Sequence, residues 1–131
     1  MTLPGSPCLT HACRACCFET EMPLTEEDAR RLEARGFARA KFARTDDGWL
    51  RLRNEKGQCV FLGPGGCTVY AERPEGCRLY PLVWDADAQR AVLDAETCPF
   101  TREFSVTPAQ HAAVRSLVQR LYAERDARRV R

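Results

Sequence analysis

Eight cysteines dominate the chemistry available to this chain: Cys8, Cys13, Cys16, Cys17, Cys59, Cys67, Cys77 and Cys98. Four fall within ten residues in the spacing C-x4-C-x2-C-C, and the other four are spread through the middle of the chain. A C-x2-C pair, here Cys13 and Cys16, lets one tight turn aim two thiolates at a single ion. Cys8 or Cys17 can add a third ligand from the same loop. Adjacent side chains point in different directions, so Cys16 and Cys17 serve two metals, or one serves a cluster while the other packs. The remaining ligands must come from Cys59, Cys67, Cys77 and Cys98, and a shared ion would then pin the N-terminal loop to the rest of the fold.

An even number of cysteines also suits a disulfide framework. Two features argue for metal instead. The N-terminal residues lack the basic start and 7–15-residue apolar run of a secretory signal, so the expected compartment is the cytoplasm, where thiols stay reduced. A bridge between the neighbours Cys16 and Cys17 would also strain the peptide. The expected cofactor is an iron–sulfur cluster or zinc. Structural zinc prefers paired C-x2–4-C knuckles, of which there is one here. Cys8-x4-Cys13-x2-Cys16 with a distant cysteine has the plant-type ferredoxin spacing, and Cys98-Pro99 matches the Cys-Pro ending of bacterial clusters. All-thiolate ligation with a poor knuckle pattern tips the balance toward iron–sulfur.

Other polar residues have plainer readings. His11 is a loop histidine beside the cluster, and His111 is a surface residue. Arg73 and Arg78 either offset the negative charge of a thiolate site or pair with Glu72 or Glu75. Tyr80 and Trp84 are expected to pack around the site. The basic tail from Arg125 to Arg131 reads as a solvated helix end. No Ser/His/Asp arrangement, dinucleotide fingerprint or P-loop is present, and Gly63-Pro64-Gly65-Gly66 lacks the Lys and helix a P-loop needs.

The scaffold must be built from modest material. The 131 residues fit one domain, 1–131. There is no Ile, and 17 of the apolar residues are Ala, so large aliphatic side chains are scarce. Such a chain needs cross-links or metal for stability. With 20 basic and 18 acidic residues the net charge is +2, which makes no case for nucleic acid as a partner. No run of 18 apolar residues exists, so no membrane helix is expected. Thr25, with Asp28 three residues on, caps a helix over EEDARRLEAR that Gly36 stops; its thin apolar face marks a surface helix. Trp49–Leu52 and Cys59–Leu62 read as short strands around the Asn54–Gly57 loop. Gly63–Gly66 is a turn leading to Cys67–Tyr70, and Leu82–Trp84 forms a hairpin with Ala91–Leu93. Thr107 and Pro108 open a last helix, striped by Val114, Leu117, Val118 and Leu121, to about Arg125. The expectation is a small α+β domain with short hairpins, two flanking helices and a metal-stapled, cysteine-rich core.

Taken together, the cysteine segments resemble the YkgJ-like cysteine-cluster family. The matching residues are Cys13-x2-Cys16-Cys17, Cys59 with Phe61-Leu62, Cys67 with Tyr70, Arg73-Pro74 leading to Cys77-Arg78 and Tyr80-Pro81, and finally Cys98. The likeness spans roughly residues 8–100, and it departs from the family pattern at the x4 spacing between Cys8 and Cys13. That family is described as zinc- or iron-chelating and is related to the flagellin lysine N-methylases. The resemblance implies metal binding without a defined reaction. Two further functions stay open. One is redox or methyl-transfer chemistry at the cluster; the chain is too short to hold a substrate site as well, so this needs a partner protein. The other is an interaction module that zinc merely stabilises.

Overall fold

Local signals start the fold. The computed structural model describes residues 17–95, 98 and 101–130. Helix α1 spans Glu26–Ala34, and Thr25 caps it in a full capping box: the Asp28 amide donates to Thr25 Oγ1, and the Thr25 amide donates to the Asp28 carboxylate, both at 3.0 Å. Its apolar stripe is as narrow as expected, yet Ala29 and Leu32 are fully buried. A one-turn helix α2, Arg39–Phe42, follows and buries Phe42. It leads into β1 (Ala43–Asp46), which pairs antiparallel with β2 (Trp49–Leu52).

The turn between them is Asp47-Gly48, with φ of +49° and +84°. Positive φ at both central residues matches the right-handed twist of the flanking strands, and it is why Asp-Gly is such a strong hairpin signal. Strand β1 is an addition to the expected elements. The Asn54–Gly57 loop therefore does not join Trp49–Leu52 to the next strand. It turns β3 (Asn54–Glu55) into β4 (Gln58–Cys59) at Lys56-Gly57.

The expected strand over Cys59–Leu62 is split. Phe61 turns inward, 4% exposed, and its carbonyl accepts from the Thr68 amide and hydroxyl, both at 2.8 Å. Leu62–Gly63 (β5) then pairs with Gly66–Cys67 (β6). Two tight turns so close in sequence leave room for only two-residue strands. A 3₁₀ turn at Tyr70–Glu72 leads to α3, Glu75–Leu79. The expected hairpin follows as β7 (Leu82–Asp85) and β8 (Arg90–Leu93).

Helix α4 runs from Pro108 to Val130, beyond the expected end near Arg125. Its last turn is mostly exposed, as the basic tail suggested, but two of its arginines are anchored. Arg128 is 13% exposed at its side chain, donates to the Gly48 carbonyl and pairs with Glu26; Arg129 pairs with Asp47. Anchored charges let the helix continue. A Cβ added at Gly48 would lie 2.7 Å from the Arg125 carbonyl oxygen, so the close approach of α4 to this turn requires glycine.

The described residues thus form four α-helices and four antiparallel two-stranded hairpins, a mixed α+β fold. The two extra helices, α2 and α3, are single turns, too short to leave a periodic pattern in the sequence. Two apolar clusters hold the elements. The first gathers Leu24, Ala29, Leu32, Phe42, Leu50, Leu52, Phe61 and Val69; the second gathers Leu79, Leu82, Phe104, Val114, Leu117 and Leu121. Helix α3 lies at their seam: Cys77 packs on the first cluster and Leu79 lies in the second.

Candidate metal centre

The cysteines do not distribute evenly over these clusters. Cys59 is buried within the first, and Cys17, Cys67 and Cys77 are half-buried against it. Cys98, 4% exposed, belongs to the second. Cys8, Cys13 and Cys16, together with His11, lie outside the described residues.

The four cysteines of the first cluster are presented by separate devices. Segment 18–24 is laced to the hairpins: Phe18 bridges Gln58, Pro23 bridges Arg51, and the Glu19 amide donates to the Gly57 carbonyl. Asn54 doubles the attachment, because its side-chain oxygen accepts from the Thr20 amide and its amide nitrogen donates to the Thr20 carbonyl. One step beyond the Phe18–Gln58 bridge come Cys17 on one side and Cys59 on the other. Cys59 ends β4, and Cys67 ends β6 in register with Leu62. Consecutive hairpins therefore each close on a cysteine. Cys77 is the third residue of α3.

The basic residues flanking Cys77 have settled roles. The Arg73 guanidinium stacks on Tyr70, 3.7 Å from the ring centroid, and Arg78 donates to the Ala71 carbonyl. Neither pairs with Glu72 or Glu75. Those carboxylates are taken by Arg35 and Arg120. Arg73 Nε is buried without a hydrogen-bond partner among the described residues. Tyr80 and Trp84 pack against the second cluster, alongside Cys98, and Tyr80 donates to Asp94 at 2.6 Å. His111 is exposed, on the rim of a groove of about 510 Å³ between the β7–β8 hairpin and α4, where Trp84, Arg90 and Arg115 also lie.

Among the described residues, no three His, Cys, Asp or Glu side chains group closely enough to hold an ion. The donor chemistry nevertheless fits a thiophilic metal. Four thiols border one apolar cluster, where low polarity strengthens thiolate–metal attraction and keeps competing water away.

A family model named CxxCxxCC, described as "Putative zinc- or iron-chelating domain", matches residues 7–99. The chain belongs to this family. The match covers most of the chain and contains all eight cysteines, and it bears out the cysteine-cluster resemblance read from the motifs. No curated protein and no solved structure matches the chain. Membership in the CxxCxxCC family supports metal binding as the general function. No helix of the described residues is long and apolar enough to cross a membrane.

Sequence reasoning missed one residue of this region. Asp28 was legible as a helix cap, but its carboxylate also reaches the segment that carries Cys77. The Glu75 amide donates to Asp28 Oδ1 at 3.1 Å, and Arg31 donates to the same oxygen at 2.8 Å. Only the total burial of an acidic side chain reveals that second role, and burial is a tertiary property.

Proposed function

We propose that this chain is a cytoplasmic metal-binding protein in which Cys8, Cys13, Cys16 and Cys17 join Cys59, Cys67, Cys77 and Cys98 to build one cluster or two neighbouring ion sites. The observation that carries the reading is the collection of Cys17, Cys59, Cys67 and Cys77 on one apolar cluster by four unrelated pieces of chain. Packing alone would be served better by the aliphatic residues that fill the rest of that cluster, such as Leu24, Leu32, Leu50 and Leu52. In this reading Cys98 joins from the second cluster.

An iron–sulfur cluster is the favoured occupant, because ligation would be all-thiolate and a single C-x2-C pair is available. Zinc is the second reading, favoured by the two short hairpins that end in Cys59 and Cys67. The protein has no stand-alone catalytic activity in this reading; redox or methyl-transfer chemistry would need a protein partner to supply the substrate site.

The test is elemental analysis with an absorbance spectrum on protein purified without oxygen, on wild type and on the Cys13→Ser/Cys16→Ser double variant. Iron, acid-labile sulfide and visible colour in the wild type, lost in the variant, are expected. Stoichiometric zinc without colour would replace the cluster by zinc. Full metal content in the double variant would overturn the site assignment.

A further inference from the structure

The buried carboxylate of Asp28 has more partners than a helix cap requires. Its side chain is fully buried. Oδ2 accepts the Thr25 amide at 3.0 Å and completes the capping box. Oδ1 accepts from the Glu75 amide, 47 residues along the chain, and from Arg31, one turn further along α1. The same Arg31 nitrogen donates to the Arg73 carbonyl at 3.0 Å. One carboxylate–guanidinium pair thus grips both ends of Arg73-Pro74-Glu75, the segment that launches α3 two residues before Cys77.

Two further contacts restrict that short helix. The Glu75 side chain pairs with Arg120 of α4. Gly76 sits so close to Met22 that a Cβ would run into its Sδ. A five-residue helix has almost no intrinsic stability, so its position is set by these contacts rather than by its own hydrogen bonds. Asp28 is buried while the Arg31 side chain stays 31% exposed, and desolvating even one of the two charges offsets part of their attraction. A pair that adds little stability yet fixes one backbone segment from two directions is suited to orienting what that segment carries.

We propose that Asp28, held by Arg31, is a positioning residue for the Cys77 thiolate: it sets where Cys77 enters the metal centre. This rests on the reading that Cys77 is a ligand. The pair is neutral as a whole, so it orients the thiolate without adding negative charge to a site already rich in it. Groups that orient ligands are typically worth about 10–100-fold in metal affinity.

The test compares two variants that injure the same helix cap. Asp28→Asn alters the carboxylate that reaches Glu75, whereas Thr25→Ala removes the capping hydroxyl and leaves the contacts from Asp28 to Glu75 and Arg31 in place. Zn²⁺ binding to reduced apo-protein would be measured by chelator competition, alongside thermal midpoints. Asp28→Asn is expected to weaken Zn²⁺ binding about 10–100-fold, while Thr25→Ala lowers the midpoint and leaves affinity within about twofold. Arg31→Lys serves if Asp28→Asn does not fold; it keeps the charge, loses the planar fork and should weaken binding several-fold. Equal affinity losses in the Asp28 and Thr25 variants would mean a merely structural role and overturn the proposal. So would wild-type affinity in Asp28→Asn. Absence of Zn²⁺ binding by the wild type would overturn this inference and the zinc reading together, while the iron–sulfur reading stands or falls on the elemental analysis.

Discussion

The two apolar clusters are built to different standards. The second rests a hairpin of four-residue strands, β7–β8, on the 23-residue helix α4, and buries Leu82, Val114, Leu117 and Leu121. Each such side chain contributes about 1.5–3 kcal/mol on burial. The first also rests on a hairpin with four-residue strands, β1–β2, but its other two hairpins have strands only two residues long. Isolated two-stranded hairpins are marginal even at greater length. Cys59 and Cys67 end those short hairpins, and Cys17 and Cys77 pack on the same cluster, while among the described cysteines Cys98 packs in the second. The comparison teaches a division of labour. Apolar burial holds both clusters, and the two-residue hairpins of the first leave room for a second source of stability, which metal–thiolate bonds would supply.

Metal removal should break the comparison most visibly. Under chelation, amide exchange at Val60 and Thr68, whose N–H groups bond Arg53 and Phe61 across the short hairpins, should accelerate by at least about tenfold, while amides of α4 near Leu117 stay protected. Uniform acceleration in both regions would mean that the halves unfold as one. Leu117→Ala should do the reverse. It removes a side chain 6% exposed in the second cluster and should cost about 2–5 kcal/mol, read in denaturant unfolding, with metal content unchanged.

The smallest effect concerns the charges that tie the halves together. Arg128 hydrogen-bonds Glu26 and, with Arg39, holds its carboxyl below the usual glutamate range despite some opposing desolvation. A carboxyl with a lowered folded pKa adds stability that is complete above its unfolded value, about 4.3, and is lost as pH falls through the lower folded value. Glu26→Gln should therefore reduce stability near neutrality, by less than about 1 kcal/mol because the pair is partly exposed and screened by salt. The deficit relative to wild type should vanish in acid. A deficit constant down to pH 2 would point to packing instead.

Much of this was legible in the chain itself. The Thr25 cap, the β7–β8 hairpin and the start of α4 follow from side-chain chemistry acting over three or four residues. Asp47-Gly48 is an equally local signal for the β1–β2 turn, but β1 itself, Ala43-Arg44-Thr45-Asp46, buries one residue and carries no apolar alternation to mark it. The cysteine spacings were sufficient to reach the CxxCxxCC family. Helices α2 and α3 were not legible, because a single turn has no periodicity and exists only where neighbours hold it.

By itself, then, the sequence determined the type of donor, the metal-binding family and the capped or turned elements, since each depends on residue identity at short range. Tertiary structure alone decided that Cys17, Cys59, Cys67 and Cys77 border one cluster and Cys98 another. It also decided that a capping aspartate grips the approach to Cys77, and that a basic tail is spent on the β1–β2 turn. Burial and partners drawn from 40 to 100 residues away made those choices. Local pattern carries no record of them, because the free energy of a contact depends on where the chain returns and not on how far it has travelled.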